Sequence, residues 1–335
     1  MVCIGLDVHA QNFTACVLDG HGEVLLEGSF AVSAQKLRSV VGAIAGPKQV
    51  VFEETTVAAW VYRVLEGHAD RIVVADPRQN AWISKDEKMD DDRAAHRLAQ
   101  LLQNKLVTSV YHPDPAGQSL RELVHGYHDM GRESTRAKNK LKHKFRQHGI
   151  PCTGATVFNP DKRDEWLDKF DDDNARFLAQ QLMTSVDYFD SQRQALRQRI
   201  ARCARDNETV SRLMRVPGIG LIRAMTFYAI IDTPHRFADN RKLWSYCGIG
   251  LAQRTSDKGR GPVHLTRYGN RVLKNLANGA AISAIQAKNN QFVRQHERLI
   301  AKGASKSKAR LTVARAIIST MWAMWRKGEP YIPRD

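Results

Sequence analysis

The stretch MVCIGLDVHAQNFTACVLDGHGEVLLEGSF (residues 1–30) reads as three short strands in succession. Apolar and β-branched residues fill Val2 to Val8, Phe13 to Leu18 and Val24 to Phe30, and Asp19-Gly20-His21-Gly22 supplies the turn between the last two. Working outward, a helical stretch from Ala34 to Ile44 stops at Gly46-Pro47, and Gln49 to Phe52 is rich in strand formers. Trp60, Val61, Val64 and Leu65 share a helical spacing, and Arg71 to Ala75 has the pattern of a buried strand. Asp91 to Leu102 predicts one more helix, with Leu98, Leu101 and Leu102 on its apolar side. Strands alternating with helices specify an α/β layer with a mixed sheet. The layer closes near residue 110.

Three acidic positions stand out in this layer. Asp7 ends an otherwise apolar first strand, and Glu53 interrupts the run VVFEET. A carboxylate in such a strand is costly unless it has a partner or an ion. The run Asp90, Asp91 and Asp92 then enters the last helix of the layer. Hard oxygen ligands from separate elements suit Mg²⁺ or Mn²⁺, and two such ions roughly 4 Å apart can activate a nucleophile and stabilise a leaving oxygen in phosphoryl transfer. Acids at strand ends and helix starts also serve as plain caps, so the residues alone leave both readings open.

With 335 residues the chain is long enough for two compact domains and a connector. Its charge is uneven: residues 1–110 hold 11 Lys+Arg against 14 Asp+Glu, whereas the remainder holds 40 against 21. A strongly basic portion of this kind is the footprint of a surface that neutralises phosphates. No apolar run approaches the roughly 20 residues of a membrane span, and residues 1–10 lack the basic n-region of a secretory signal. A cytoplasmic location and no membrane partner are expected. Cys3, Cys16, Cys152, Cys203 and Cys247 are scattered singly, which predicts reduced, structural thiols.

Residues 111–210 read as a basic helical connector. RESTRAKNKLKHKFRQH (residues 132–148) contains Lys138, Lys140, Lys142, Lys144 and Arg146, which are expected to contact backbone phosphates of nucleic acid. Beyond it, Leu182, Phe189, Leu196 and Cys203 recur every seven residues, with Val186 and Ile200 in a second row, as along a coiled-coil seam. Residues 211–335 open on VPGIG and continue to a glycine-rich loop that contains Ser256 between Arg254, Lys258 and Arg260. A serine hydroxyl becomes a nucleophile only when a base or cation activates it, and neighbouring cations would stabilise charge on a phosphate in transfer. Thr255 is the adjacent competitor.

GLDVH (residues 5–9), FEETT (52–56), KMDDDRAAHRLAQLL (88–102), VPGIG (216–220) and YCGIGLAQRTSDKGRGPVHLTRYGNRVLKNLAN (246–278) together resemble the IS110 family of insertion-sequence transposases and Piv-type DNA invertases. The resemblance covers nearly the whole chain, through the order and spacing of loose motifs. It implies a RuvC-like (RNase H-like) N-terminal domain with a DEDD metal cluster over residues 1–110, an α-helical coiled-coil connector, and a mainly α C-terminal transposase domain supplying a catalytic serine. It also implies a Mg²⁺ or Mn²⁺ cofactor, a noncoding bridge RNA that pairs with donor and target DNA, and a dimer or tetramer. Asp7 matches the first acid, Glu53 the second, Asp91 the third and Ser256 the nucleophile. The fourth acid is missing: registering on Ala95 to Ala99 puts Ala94 in its place. Asp90 or Asp92 could substitute, or the site has one ligand fewer. Three functions follow: an RNA-guided serine recombinase, a metal-dependent junction nuclease using the acids and water, or a scaffold that binds nucleic acid without cutting it.

Overall fold

The computed structural model describes residues 1–77, 91–113, 115–253, 255–256, 259–266 and 268–333. They divide into two compact units, Met1–Pro115 and Ala116–Asp335. Among the described residues no helix is long and apolar enough to cross a membrane.

The first unit is built on five strands: β1 (Val2–Val8), β2 (Asn12–Leu18), β3 (Val24–Ala31), β4 (Lys48–Glu53) and β5 (Arg71–Ala75). Helices α1 (Ala34–Gly42), α2 (Ala58–Leu65) and α3 (Asp91–Gln103) complete it. The strands lie in the order β3-β2-β1-β4-β5. The hairpin-linked β1, β2 and β3 pair antiparallel, while β4 and β5, reached through α1 and α2, add in parallel. This is the expected mixed sheet, and it is consistent with a RuvC-like domain.

Side-chain alternation sends the two faces of the sheet to different partners. Ile4, Leu6, Phe13, Ala15, Val50 and Phe52 join Leu37, Val41, Val61 and Leu65 of α1 and α2 in one core. On the other face Cys3, Val51, Val73 and Ala75 meet Leu98 and Leu102 of α3, and Cys16 and Leu18 meet Ala95 and Ala99. Gly5 makes the close seating of α3 possible: a Cβ there would stand 2.0 Å from the Ala95 carbonyl oxygen and 2.6 Å from the Ala99 nitrogen. Both are backbone atoms, so they can yield only if the helix moves. Gly5→Ala is therefore expected to cost about 3 kcal/mol, read in the full chain as roughly 100-fold faster hydrogen exchange of β1 and α3 peptides. Unchanged exchange would show that α3 does not seat on Gly5.

The second unit contains α4 (Pro115–Gln147), α5 (Arg163–Leu167), α6 (Asp173–Ala204), α7 (Glu208–Leu213), α8 (Leu221–Ile231) and α9 (Asn240–Tyr246). Four two-residue strands follow: β6 (Leu251–Ala252), β7 (Thr255–Ser256), β8 (Gly259–Arg260) and β9 (His264–Leu265). The unit ends with α10 (Arg271–Gln286), α11 (Gln291–Ala301) and α12 (Lys306–Lys327). Helices α4 and α6 run antiparallel: Arg193 lies over the Tyr127 ring, Ser134 donates to Asp190, and Leu141 and Phe145 share a core with Ala175, Ala179 and Met183. At their other end Val124, Tyr127, Ile200 and Ala204 enter the same core as α8, α10 and α12.

The buried row of α6 consists of Ala175, Ala179, Met183, Val186, Ile200 and Ala204. Of the expected seam, the second row of Val186 and Ile200 is buried, whereas in the first row Leu182, Phe189 and Leu196 are only partly buried and Cys203 is exposed. Small alanines form much of the true seam, because they let two long helices approach closely where large apolar residues would hold them apart.

Candidate functional site

Asp7 and Glu53 sit at the carboxyl ends of adjacent parallel strands, one residue beyond the paired Leu6 and Phe52. Alternation places both on the sheet face that carries α3. Helix α3 is oriented by its contacts: Leu98 and Leu102 pack beside Cys3, and Ala95 and Ala99 abut Gly5. Continuing in that direction, the helix start at Asp91 falls at the end of the sheet where Asp7 and Glu53 lie. Three acidic positions far apart in sequence are thus gathered by a strand end, a neighbouring strand end and a helix N-terminus.

The electrostatics fit a cation. Burial, and then the charge of Asp7, push the Glu53 carboxyl above its ordinary range. Two carboxylates that disfavour each other's ionised form at a half-buried edge are stabilised together by a divalent ion. Asp7 is held from the other side by His9, with Nε2 to Oδ2 at 3.2 Å. Thr14, buried, stands opposite Asp7 on β2. Ala94 is half-buried on α3 and offers no ligand. Asp90 lies outside the described residues.

The weakened acidity of Glu53 has a sign that can be tested. Its ionised form is disfavoured on folding, so Glu53 costs the metal-free protein stability as pH rises through its elevated folded pKa, and the cost disappears at acid pH. Glu53→Gln is expected to raise the neutral-pH melting temperature of the metal-free protein and to remove most of the stabilisation given by added Mg²⁺. An unchanged response to Mg²⁺ would take Glu53 out of the ligand set.

In the second unit, β7 and β8 pair antiparallel with Ser256 opposite Gly259, so Ser256 belongs to the narrow end of a small hairpin. Beside it, β6 pairs with β9 through Leu251 with Leu265 and Ala252 with His264. The base of this segment is tightly anchored. A Cβ on Gly269 would stand 2.2 Å from the Gly248 Cα, the Asn270 amide donates to the Tyr246 carbonyl at 2.7 Å, and Arg315 Nε donates to the Ile249 carbonyl at 2.7 Å. Arg260 is in β8, whereas Arg254 and Lys258 lie outside the described residues.

The five basic positions of α4 separate into two sets. Lys138 pairs with Asp190 at 2.8 Å. Lys142 Nζ donates to the Gly154 carbonyl at 2.5 Å, and Arg146 donates to the Cys152 carbonyl at 3.4 Å. Spaced by four, these three share a helix face that is engaged with the chain's own α6 and 152–154 segment. Lys140 is exposed and Lys144 half-exposed. Sequence reasoning also passed over Gly5, for which a glycine inside an apolar strand was the available signal.

Residues 4–150 match a transposase family of the DEDD, IS110 type, and residues 210–297 match the transposase IS116/IS110/IS902 family. This chain belongs to the IS110 family of transposases. A Sinorhizobium fredii protein, y4qE, described as a candidate transposase, is 24% identical over 288 residues, covering 82% of this chain and 69% of that protein. A Streptomyces coelicolor protein of insertion element IS110 is 29% identical over 156 residues, covering 46% of this chain and 38% of that protein. An IS110-family transposase is in general a DNA-binding and DNA-cutting enzyme, and DEDD domains in general use divalent metal ions.

Proposed function

We propose that this IS110-family transposase is an RNA-guided recombinase that cuts and rejoins DNA through Ser256, assisted by Mg²⁺ or Mn²⁺ held by Asp7, Glu53 and Asp91, with Asp90 as the fourth donor in place of Ala94. The observation that carries the reading is the gathering of Asp7, Glu53 and the start of α3 at one end of the sheet. A divalent ion there would supply charge neutralisation to a phosphate undergoing transfer. Ser256 Oγ attacks the phosphorus, the P–O bond to the DNA hydroxyl breaks, and the serine proton leaves to a base or solvent. A second DNA hydroxyl then displaces the serine, so the number of phosphodiester bonds is conserved. Arg254, Lys258 and Arg260 neutralise the phosphate near Ser256. Donor and target DNA, a structured noncoding guide RNA and further copies of the chain, as a dimer or tetramer, complete the reacting complex.

Labelled element-junction DNA, incubated with the chain, Mg²⁺ and the flanking noncoding RNA and run on a denaturing gel, tests the reading. It predicts Mg²⁺-dependent strand breakage with protein attached to one end. Free ends without attached protein would indicate a metal nuclease, and binding without breakage a scaffold; both contradict it.

Nucleic acid is taken up on the outward face of α4. Lys140→Ala combined with Lys144→Ala is expected to lower the slope of log K against log salt by about 1.5, the share of two phosphate contacts. An unchanged slope would move the contact to the concave surface of about 550 Å³ beside α11 and α12, lined by Asn240, Arg294, Arg298 and Ser319.

A further inference from the structure

Between the sheet and α3, on the side of β2 and β3, three metal-ligating side chains converge: Cys16, Glu27 and His96. Cys16 and Glu27 stand directly opposite each other in the β2–β3 ladder, and His96 comes from α3. His96 Nδ1 lies 3.9 Å from Glu27 Oε1, and the thiol sulfur, a carboxylate oxygen and a ring nitrogen all lie within 4.8 Å of one another. Cys16 is fully buried, whereas the Glu27 and His96 side chains are 39% and 31% exposed, which gives an ion a path from solvent. None of the three belongs to the acidic cluster of Asp7, Glu53 and Asp91.

We propose that Cys16, Glu27 and His96 form a second metal site, for Zn²⁺, in which a water completes four-coordination. The donor set decides the ion: thiolate and imidazole select a borderline-soft cation, whereas an all-oxygen site suits Mg²⁺. Bond lengths of about 2.0–2.3 Å put tetrahedral donors roughly 3.5 Å apart, so closing the site takes side-chain rotations of about 1 Å and no change of strand register. Binding replaces the Cys16 proton with the ion, the proton leaves to solvent, and His96 ligates as the neutral ring. The ion ties β2 and β3 to α3, the helix that carries Asp91. It thereby fixes the element on which the third acid is placed, without touching the reacting DNA.

Cobalt(II) titration of the reduced full-length protein, followed by absorption, tests this site separately from the acids. One equivalent of Co²⁺ is expected to give the strong thiolate charge-transfer band of tetrahedral cobalt and to be displaced by Zn²⁺. The band should vanish in Cys16→Ser and persist in Asp7→Asn and in Cys203→Ser, which removes the exposed thiol. His96→Gln, at a half-exposed position that leaves the core intact, should weaken Co²⁺ binding at least about tenfold; it decides the matter if circular dichroism shows Cys16→Ser to be unfolded. No band in the unaltered protein, a band that survives Cys16→Ser, or full affinity in His96→Gln would overturn the proposal and leave Cys16 a core thiol beside a surface His–Glu pair.

Discussion

Ser256→Ala is expected to abolish protein-linked DNA and to lower strand cleavage by at least about 10⁴-fold, because no other group replaces a covalent nucleophile and residual rates come only from binding and charge stabilisation. Ser256 is well placed for mutation: it lies in a two-residue strand of a small hairpin, away from the residues that anchor the hairpin base. Loss of the hydroxyl should therefore leave the Gly248–Gly269 contact and the Arg315 hydrogen bond in place. DNA binding should be retained within about twofold, since uncharged serine adds nothing to the counterion release that dominates affinity. Thr255→Ala is the matched control and should retain adduct formation. If Ser256→Ala still formed the adduct and Thr255→Ala did not, the nucleophile would be Thr255.

Asp7→Asn is expected to reduce Mg²⁺-dependent cleavage by more than about 100-fold, since even loss of residues behind a metal ligand costs 10–100-fold in metalloenzymes. The substitution keeps the shape of the side chain and its place opposite Thr14, so β1 should stay folded. It also removes the charge that helps push the Glu53 carboxyl above its ordinary range, and Glu53 should return toward that range. That electrostatic response can be followed by NMR titration in the absence of metal. Calorimetry should show Mg²⁺ affinity falling in step with activity. Unchanged metal affinity in Asp7→Asn would remove Asp7 from the site whatever happened to cleavage.

The strand layer of the first unit was legible in the sequence because its signal is local. Short runs of apolar and β-branched residues located β1 to β5 to within a residue at either end, and Asp7 and Glu53 were conspicuous for interrupting them. Their convergence was implied only by the family resemblance and not by the spacing, because it depends on Gly5 admitting α3 and on the pairing of Leu6 with Phe52. The same limit explains the α6 seam. A heptad search weights large apolar residues such as Leu182 and Phe189, whereas the packed row uses alanines chosen by what α4 presents. Likewise a basic run predicts a nucleic-acid face, but Asp190 and the carbonyls of Cys152 and Gly154, which engage three of its five named positions, arrive from elsewhere in the chain. Cys16 read as a lone structural thiol because its companions, Glu27 and His96, are brought to it only by the sheet ladder and by α3.

Crystals of the full chain soaked in Mn²⁺ and measured at the manganese absorption edge would reveal whether the sheet end bearing Asp7 and Glu53 holds a divalent cation. An anomalous peak is expected within about 2.0–2.3 Å of carboxylate oxygens of both Asp7 and Glu53, next to the start of α3, and no such peak in Asp7→Asn. Manganese bound elsewhere on the first unit with this end of the sheet empty, or an unaltered peak in Asp7→Asn, would contradict that expectation.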